Sequence, residues 1–435
     1  MKITAKHGSL TLENKGMSVA KAETMELSRY EQRLREIRMM AAGEDYSRCT
    51  RRVIDFCIDF SLPEMLRQDA INIRKQYNLN QSSGDRNLRF DRNISLQLDL
   101  LRLIDEMEKQ YAGEANGKSE TKVNKGTGAI FHGKDIRKRF AGNDAFGLEM
   151  PNLDLLAGEL TGVVGENGNG KTTLLRLVAG DLAVDSGELG YSWLESKFLD
   201  WPLIKQRIAY IPQRIPRWFG KLRDNLKYAA TIHGIRGQEN RDAVSLVISR
   251  LGLSRYEESA WDEISSGYKL RFELARALIW RPGLLVLDEP LANLDINTRS
   301  LFLQDLRDIA SSEKYPVAVI LSSQQLHELE DISDNIIFLE NGKPVYSGAV
   351  GGIGLSRQEN VYELKSPLDE TAFRTLLGDL EDIRIETEGM NYVIRCHTDI
   401  GTNEILQLLL ERQIEIKYFR EISHSTRKLF RKEHA

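Results

Sequence analysis

From residue 25 to residue 112, apolar side chains return every three or four positions, the period of an amphipathic helix. MELSRYEQRLREIRMM puts Leu27, Tyr30, Leu34 and Ile37 on one stripe, and RRVIDFCIDF continues as a second periodic segment. SLPEMLRQDAINIRKQY opens like a third helix, with Ser61 at the cap, Pro63 in the first turn and Glu64 three residues beyond the cap. After the turn cluster QSSGDRN, SLQLDLLRLIDEMEKQY gives a fourth. Residues 1–111 therefore predict an N-terminal all-α bundle, with the first 24 expected to be disordered. Nothing in it suggests chemistry, and it reads as an adaptor that recruits a further protein. The small, polar run AGEANGKSETKVNKGTG, residues 112–128, predicts a flexible linker from which the bundle protrudes.

Residues 129–350 change character. Short β-type runs (LTGVVG, RIAYIP, LLVLDEP, PVAVILSS) alternate with helical segments, which predicts an α/β domain with a largely parallel sheet. Residues 351–435 predict a small C-terminal α+β appendage. There IRIETEGMNYVIRCH reads as a strand pair, NEILQLLLERQ as a helix and IEIKYF as another strand.

Composition narrows this picture without redirecting it. The 435 residues are 41% hydrophobic and 29% charged, enough for packed cores in two or three domains. A net charge of −4 and the lack of a long basic tract argue against nucleic acid as a partner. No apolar run reaches the length of a membrane span and the N-terminus lacks the apolar stretch of a signal peptide, so a cytoplasmic location is expected. Cys49, Cys57 and Cys396 form no metal-ligand spacing and read as reduced, buried thiols.

The chemistry enters with GENGNGKTT, from Gly165 to Thr173. Gly165, Gly170, Lys171 and Thr172 fit G-x-x-x-x-G-K-[ST], between a strand and a helix as that motif requires. In this reading backbone N–H groups of Glu166, Asn167, Gly168 and Asn169 cradle phosphate oxygens at the positive end of a helix. Lys171 reaches the β- and γ-phosphates, and Thr172 ligates Mg²⁺. LLVLDEP supplies the matching carboxylates: Asp288 at the end of a buried strand for the ion, and Glu289 to polarise an attacking water. The expected chemistry is hydrolysis of a nucleoside triphosphate.

Further stretches resemble one family. IPQ places Gln213 after the strand RIAYIP, ISSGYKLRFELARALIWRPG precedes LLVLDEP, and LANLD follows it. In motif order and spacing, residues 129–345 look like the nucleotide-binding subunit of an ABC ATPase, and most like those serving ABC-2-type exporters. The resemblance implies a P-loop ABC ATPase domain with a helical subdomain. It implies that Gln213 touches Mg²⁺ and the nucleophilic water, and that Ser265 and Gly267 of the signature motif complete the ATP site of a second subunit. Asp295 closes the D-loop, and Phe140 stands where the family stacks an aromatic on adenine; a core position is the other reading of Phe140. Ile215, Trp218 and Phe219 become candidates for docking a membrane-spanning permease, with simple packing the other reading. The implied assembly is a head-to-tail homodimer held on the inner face of the membrane by that permease.

Two positions depart from the family. The signature reads ISSGY rather than LSGGQ, and Gln324 in LSSQQLHELE takes the place of a histidine. Glutamine can donate a hydrogen bond to a γ-phosphate but carries no proton or charge. Slow but real hydrolysis is therefore expected, with Glu289 and Gln324 as the catalytic pair. The alternative is a regulatory or soluble non-transport ABC ATPase.

Overall fold

The computed structural model describes residues 29–81, 86–115, 128–140, 147–194, 200–292, 294–352, 359–377, 383–388, 391–397 and 399–421. The expected disordered stretch and Leu27 lie outside these residues, as does 116–127 of the expected linker.

Four helices form the N-terminal bundle: α1 (Arg29–Ala42), α2 (Tyr46–Asp59), α3 (Glu64–Gln81) and α4 (Arg86–Ala115). The stripe Tyr30, Leu34 and Ile37 is buried as its spacing requires. Tyr30, Phe56 and Phe60 meet with ring centroids 4.6–4.8 Å apart. The Tyr30 hydroxyl donates to the Met107 carbonyl at 2.6 Å, which satisfies the one polar atom of that aromatic cluster. Helix α4 runs past the expected start of the linker, to Ala115. The Ser61 cap is not formed. Ser61 has φ +53°, helix α3 starts at Glu64, and the Ser61 hydroxyl accepts from Lys314 Nζ at 2.7 Å instead.

The cassette follows in chain order. Strands β1 (Ala129–Arg139), β2 (Gly147–Leu156) and β3 (Leu160–Val164) lead into helix α5 (Lys171–Val178). Next come β4 (Ser186–Tyr191), α6 (Trp201–Lys205), β5 (Ile208–Ile211), α7 (Leu222–Ile232), α8 (Gly237–Arg250) and α9 (Ser266–Leu278). Strand β6 (Leu284–Leu287), α10 (Ile296–Ala310), β7 (Ala318–Ser323), β8 (Asn335–Glu340) and β9 (Lys343–Ala349) complete it. The main sheet has the order β5-β6-β7-β3-β8-β9, parallel throughout except for β9. An antiparallel sheet, β2-β1-β4, covers one of its faces.

Both faces of the main sheet are dry, which explains why its strands read as unbroken apolar runs. Along β6, Leu285 and Leu287 pack among the helices α7 to α10. Leu284 and Val286 turn the other way, to α5 and the antiparallel sheet. This two-residue alternation is the pleat itself. The parallel strands end together at the loops that carry the chemistry, the usual place for ligands in open parallel sheets.

The C-terminal unit has β10 (Glu359–Lys365), α11 (Glu370–Leu377), β11 (Ile383–Glu388), β12 (Asn391–His397), α12 (Thr402–Glu411) and β13 (Tyr418–Glu421). Its sheet is antiparallel, in the order β11-β12-β10-β13, around Tyr362, Phe373 and Ile394. The last strand begins at Tyr418, so most of IEIKYF precedes it.

One expectation is corrected outright. The N-terminal bundle does not protrude; α2 and α3 lie against the cassette. The Arg51 guanidinium sits 2.5 Å from the Asp305 carboxylate on α10, and both side chains are buried. Arg250 on α8 forks onto the Asp55 carboxylate on α2. Arg74 donates to the Ser249 carbonyl at 3.3 Å. Helix α2 is thus buried on almost every side, its apolar face in the bundle and its charged face in this junction.

Candidate functional site

The phosphate loop begins where β3 ends. A Cβ on Gly165 would lie 2.5 Å from the Leu339 carbonyl oxygen, so only glycine allows that approach. Gly168 and Gly170 have φ of +87° and +96°, which turns the loop back into α5 with Gly170 as the cap. Around a Cβ on Gly168 there is open space. The Asn169 side chain accepts from the Asn341 backbone at 3.1 Å and anchors the loop to the turn after β8. Lys171 is buried, with Nζ donating to the carbonyls of Gly165 (2.8 Å) and Glu166 (3.1 Å).

The carboxylates arrive from β6. Asp288 Oδ1 accepts from the Thr172 hydroxyl at 3.2 Å and from the Ser322 hydroxyl at 2.9 Å. Glu289, with φ +44°, sits in a backbone region that side chains avoid. Its amide donates to Ser322 Oγ at 2.8 Å, so one serine fixes both acidic residues. Lys171 Nζ lies 3.2 Å from Glu289 Oε1, while Gln213 and Gln324 donate to Oε2 at 2.8 and 3.0 Å. Three separate segments therefore converge on one carboxylate. A cavity of about 140 Å³ opens beside it, walled in part by Glu289, Ser323, Gln324, Arg299 and Glu328. Arg299 is paired with Glu328, which also accepts from Ser323 Oγ.

Thr172, Gln213, Asp288, Glu289 and Gln324 are thus brought together with the loop. Thr173 is half-buried in the first turn of α5. His327 is exposed in the short turn Leu326–Glu328 and takes no part in these contacts. Ser265 caps α9 in extended backbone, and Gly267 lies against α10, where an added Cβ would meet Thr298 Cγ2 at 2.9 Å. Asp295 caps α10, and hydrogen bonds from Thr298 hold its carboxyl below the ordinary carboxylate range. Phe140 is 40% exposed just beyond β1, which removes the core reading. Trp218 goes the other way. It is buried, stacked on Trp261 at 5.0 Å, and its indole N–H donates to Glu273 at 2.7 Å. Trp218 is therefore no docking residue, whereas Phe219 is 79% exposed.

Two participants escaped the sequence reading. Ser322 was one, although a serine pair closing an apolar strand was a usable signal. Tyr210 was the other; burial, with Asp288 beside it, pushes its hydroxyl up to about 12.

The sequence pattern of the family described as ABC transporter matches residues 148–292. The uncharacterized ABC transporter ATP-binding protein YhaQ of Bacillus subtilis is 28% identical over 200 residues, 45% of this chain and 64% of that one. NatA of the same organism, an ABC transporter ATP-binding protein, is 28% identical over 208 residues, covering 46% and 80%. The probable sulfate/thiosulfate import ATP-binding protein CysA of Chlorella vulgaris is 30% identical over 218 residues, 50% of this chain and 89% of that protein. The chain belongs to the ABC transporter ATP-binding family. Lys171, Gln213, Asp288 and Glu289 lie within the matched segment, and Ser322 and Gln324 lie beyond it. No helix among the described residues is long and apolar enough to cross a membrane.

Proposed function

We propose that this chain binds ATP on the loop Gly165–Thr173, hydrolyses it in a head-to-tail homodimer, and drives a separate membrane-spanning permease of the ABC-2 exporter kind. The observation that carries the hydrolytic reading is the convergence of Lys171, Gln213 and Gln324 on Glu289. Lys171 holds an anion now, and a γ-phosphate is the anion that would replace Glu289 on it. Released from Lys171, the Glu289 carboxylate is free to take a proton from water, with Gln213 positioning that water. Gln324, a neutral donor, then serves the γ-phosphate in place of a charged imidazole. Phe140, exposed beyond β1, offers its ring to adenine.

The hydroxyl of Thr172 and the carboxylate of Asp288 form a pair of hard oxygen donors 3.2 Å apart, which fits Mg²⁺. When bound, the ion neutralises charge on the β- and γ-phosphates.

A second subunit would supply Ser265, Gly267 and Asp295, because the starts of α9 and α10 expose Ser265 and Asp295 and half-bury Gly267 between them. Phe219, with Tyr228 and Ile232 on one face of α7, gives a set of exposed apolar side chains for the permease. The export reading rests on the resemblance of residues 129–345 to ABC-2-type subunits, although CysA is named for import. The alternative, a regulatory ATPase, loses weight from the intact Asp288 and Glu289 pair.

The test is phosphate release by purified protein. Glu289→Gln should lower turnover by about 100-fold or more, the scale of a lost general base, with ATP binding retained. Turnover unchanged by Glu289→Gln would end this assignment.

A further inference from the structure

The N-terminal bundle meets the ATPase domain at a point that matters to the composite site. Helix α9 leaves Ser265 exposed at its start, so its position is set further along. At Gly267 it touches Thr298 of α10. One turn later Arg271 is buried, and burial lowers its guanidinium's pKa, with Asp305 opposing that shift and Arg51 adding to it. Arg271 itself donates to the Leu251 carbonyl at 3.4 Å, at the end of α8, and Asp305 lies on α10 two turns beyond Thr298. Its Oδ1 takes the Arg51 guanidinium at 2.5 Å, while its buried Oδ2 accepts no hydrogen bond among the described residues.

The same bundle helices hold α8. Arg250 forks onto Asp55, and Arg74 donates both to the Ser249 carbonyl and to Thr50 Oγ1 on α2. Arg52 reaches Asp308, about one turn beyond Asp305 on α10, at 3.3 Å. Several guanidinium groups therefore share a dry junction with few carboxylates. Such an arrangement is a poor source of stability, since apolar side chains would fill the space at less cost. What it does well is fix one geometry, because each charge tolerates only a narrow placement of its partner.

We propose that the N-terminal bundle is a positioning part of the ATP site: Arg51, through Asp305, sets α9 against α10 and so places Ser265 and Gly267 for the nucleotide of a second copy. This rests on the head-to-tail reading above. Arg51 touches no nucleotide and acts only through the two helices. The ATP held by the chain's own phosphate loop is untouched by it.

The experiment uses the full chain carrying Glu289→Gln, alone and combined with Arg51→Ala or Arg51→Lys. Light scattering follows dimer formation against ATP, and a fluorescent ATP analogue follows binding to the monomer. Arg51→Ala should raise the ATP needed for half-dimerisation by about tenfold, the scale of coupling between groups in contact. Analogue binding should stay within about twofold, and Arg51→Lys, which keeps the charge, should recover part of the loss. Dimerisation unchanged by Arg51→Ala overturns the proposal. If Arg51→Ala fails to fold, Arg51→Lys decides: dimerisation identical to the parent overturns the proposal, a partial loss supports it. If Glu289→Gln alone stays monomeric with ATP, the head-to-tail reading falls first and takes the proposal with it.

Discussion

At the scale of single residues, the reaction centre is a set of hydrogen bonds whose removal has graded effects. Gln324 contributes one neutral donor, worth about 1 kcal/mol, so Gln324→Ala should lower kcat by about fivefold. Steady-state phosphate release checks this, and an unchanged kcat would mean that Gln324 serves only to hold Glu289. Ser322 carries more, because its hydroxyl serves both Asp288 and the Glu289 amide. Ser322→Ala leaves the buried Glu289 amide without its acceptor, at about 1–3 kcal/mol, and leaves Asp288 Oδ1 with the Thr172 hydroxyl. It should reduce resistance to denaturant as well as turnover. The phosphate loop was legible because its function is written in local spacing: strand, glycines, lysine, helix. Trp218 was not, because what buries it is Trp261, far along the chain, and no local pattern records that contact. Ser61 misled for a related reason. It has the composition of a cap, but Lys314 draws its hydroxyl away.

At the scale of elements, α2 is the instructive case. Its apolar stripe predicted a helix, and a helix forms. Its charged residues Arg51, Arg52 and Asp55 are all buried against partners roughly half the chain away, which its periodicity does not record. Charge alone does not reveal whether water or a distant carboxylate answers it. The consequences separate by magnitude. Asp305→Ala strands the buried Arg51 and should cost about 3–5 kcal/mol in denaturant unfolding. Arg38→Ala breaks an exposed pair with Asp105 and Glu108 and should cost about 1 kcal/mol or less. Equal losses would show that the junction is wet. The junction also predicts a pH signature. Burial raises the carboxyl pKa of Asp59, facing Arg33, Asp55 and Ser312, and that of Asp308, facing Arg48, Arg52, Asp55 and Arg250. A folded carboxyl that holds its proton more tightly than the unfolded one contributes stability below the ordinary carboxylate range. That contribution is lost as pH rises through the raised value. Asp308→Asn should flatten this part of the stability profile, and a profile of unchanged slope would contradict it.

At the scale of the whole molecule, four strands of the main sheet followed from their apolar runs and its parallel order from their alternation with helices, whereas the antiparallel sheet β2-β1-β4 left no such pattern. The seat of the bundle left none either, because the contacts that define it join segments separated by 175 to 254 residues in sequence. A bundle locked to α8 and α10 by buried charge behaves as part of the ATPase body, and Phe219, Tyr228 and Ile232 are the exposed apolar side chains proposed to meet a membrane partner. The most direct test of that account is co-purification from detergent-solubilised membranes. Glu289→Gln with ATP, which favours the closed dimer, serves as bait, and mass spectrometry identifies what is retained. The account predicts a multi-spanning membrane protein, recovered with the parent and lost when Phe219, Tyr228 and Ile232 are replaced by Asp. Recovery of soluble partners alone, under conditions where the bait binds ATP, would contradict it.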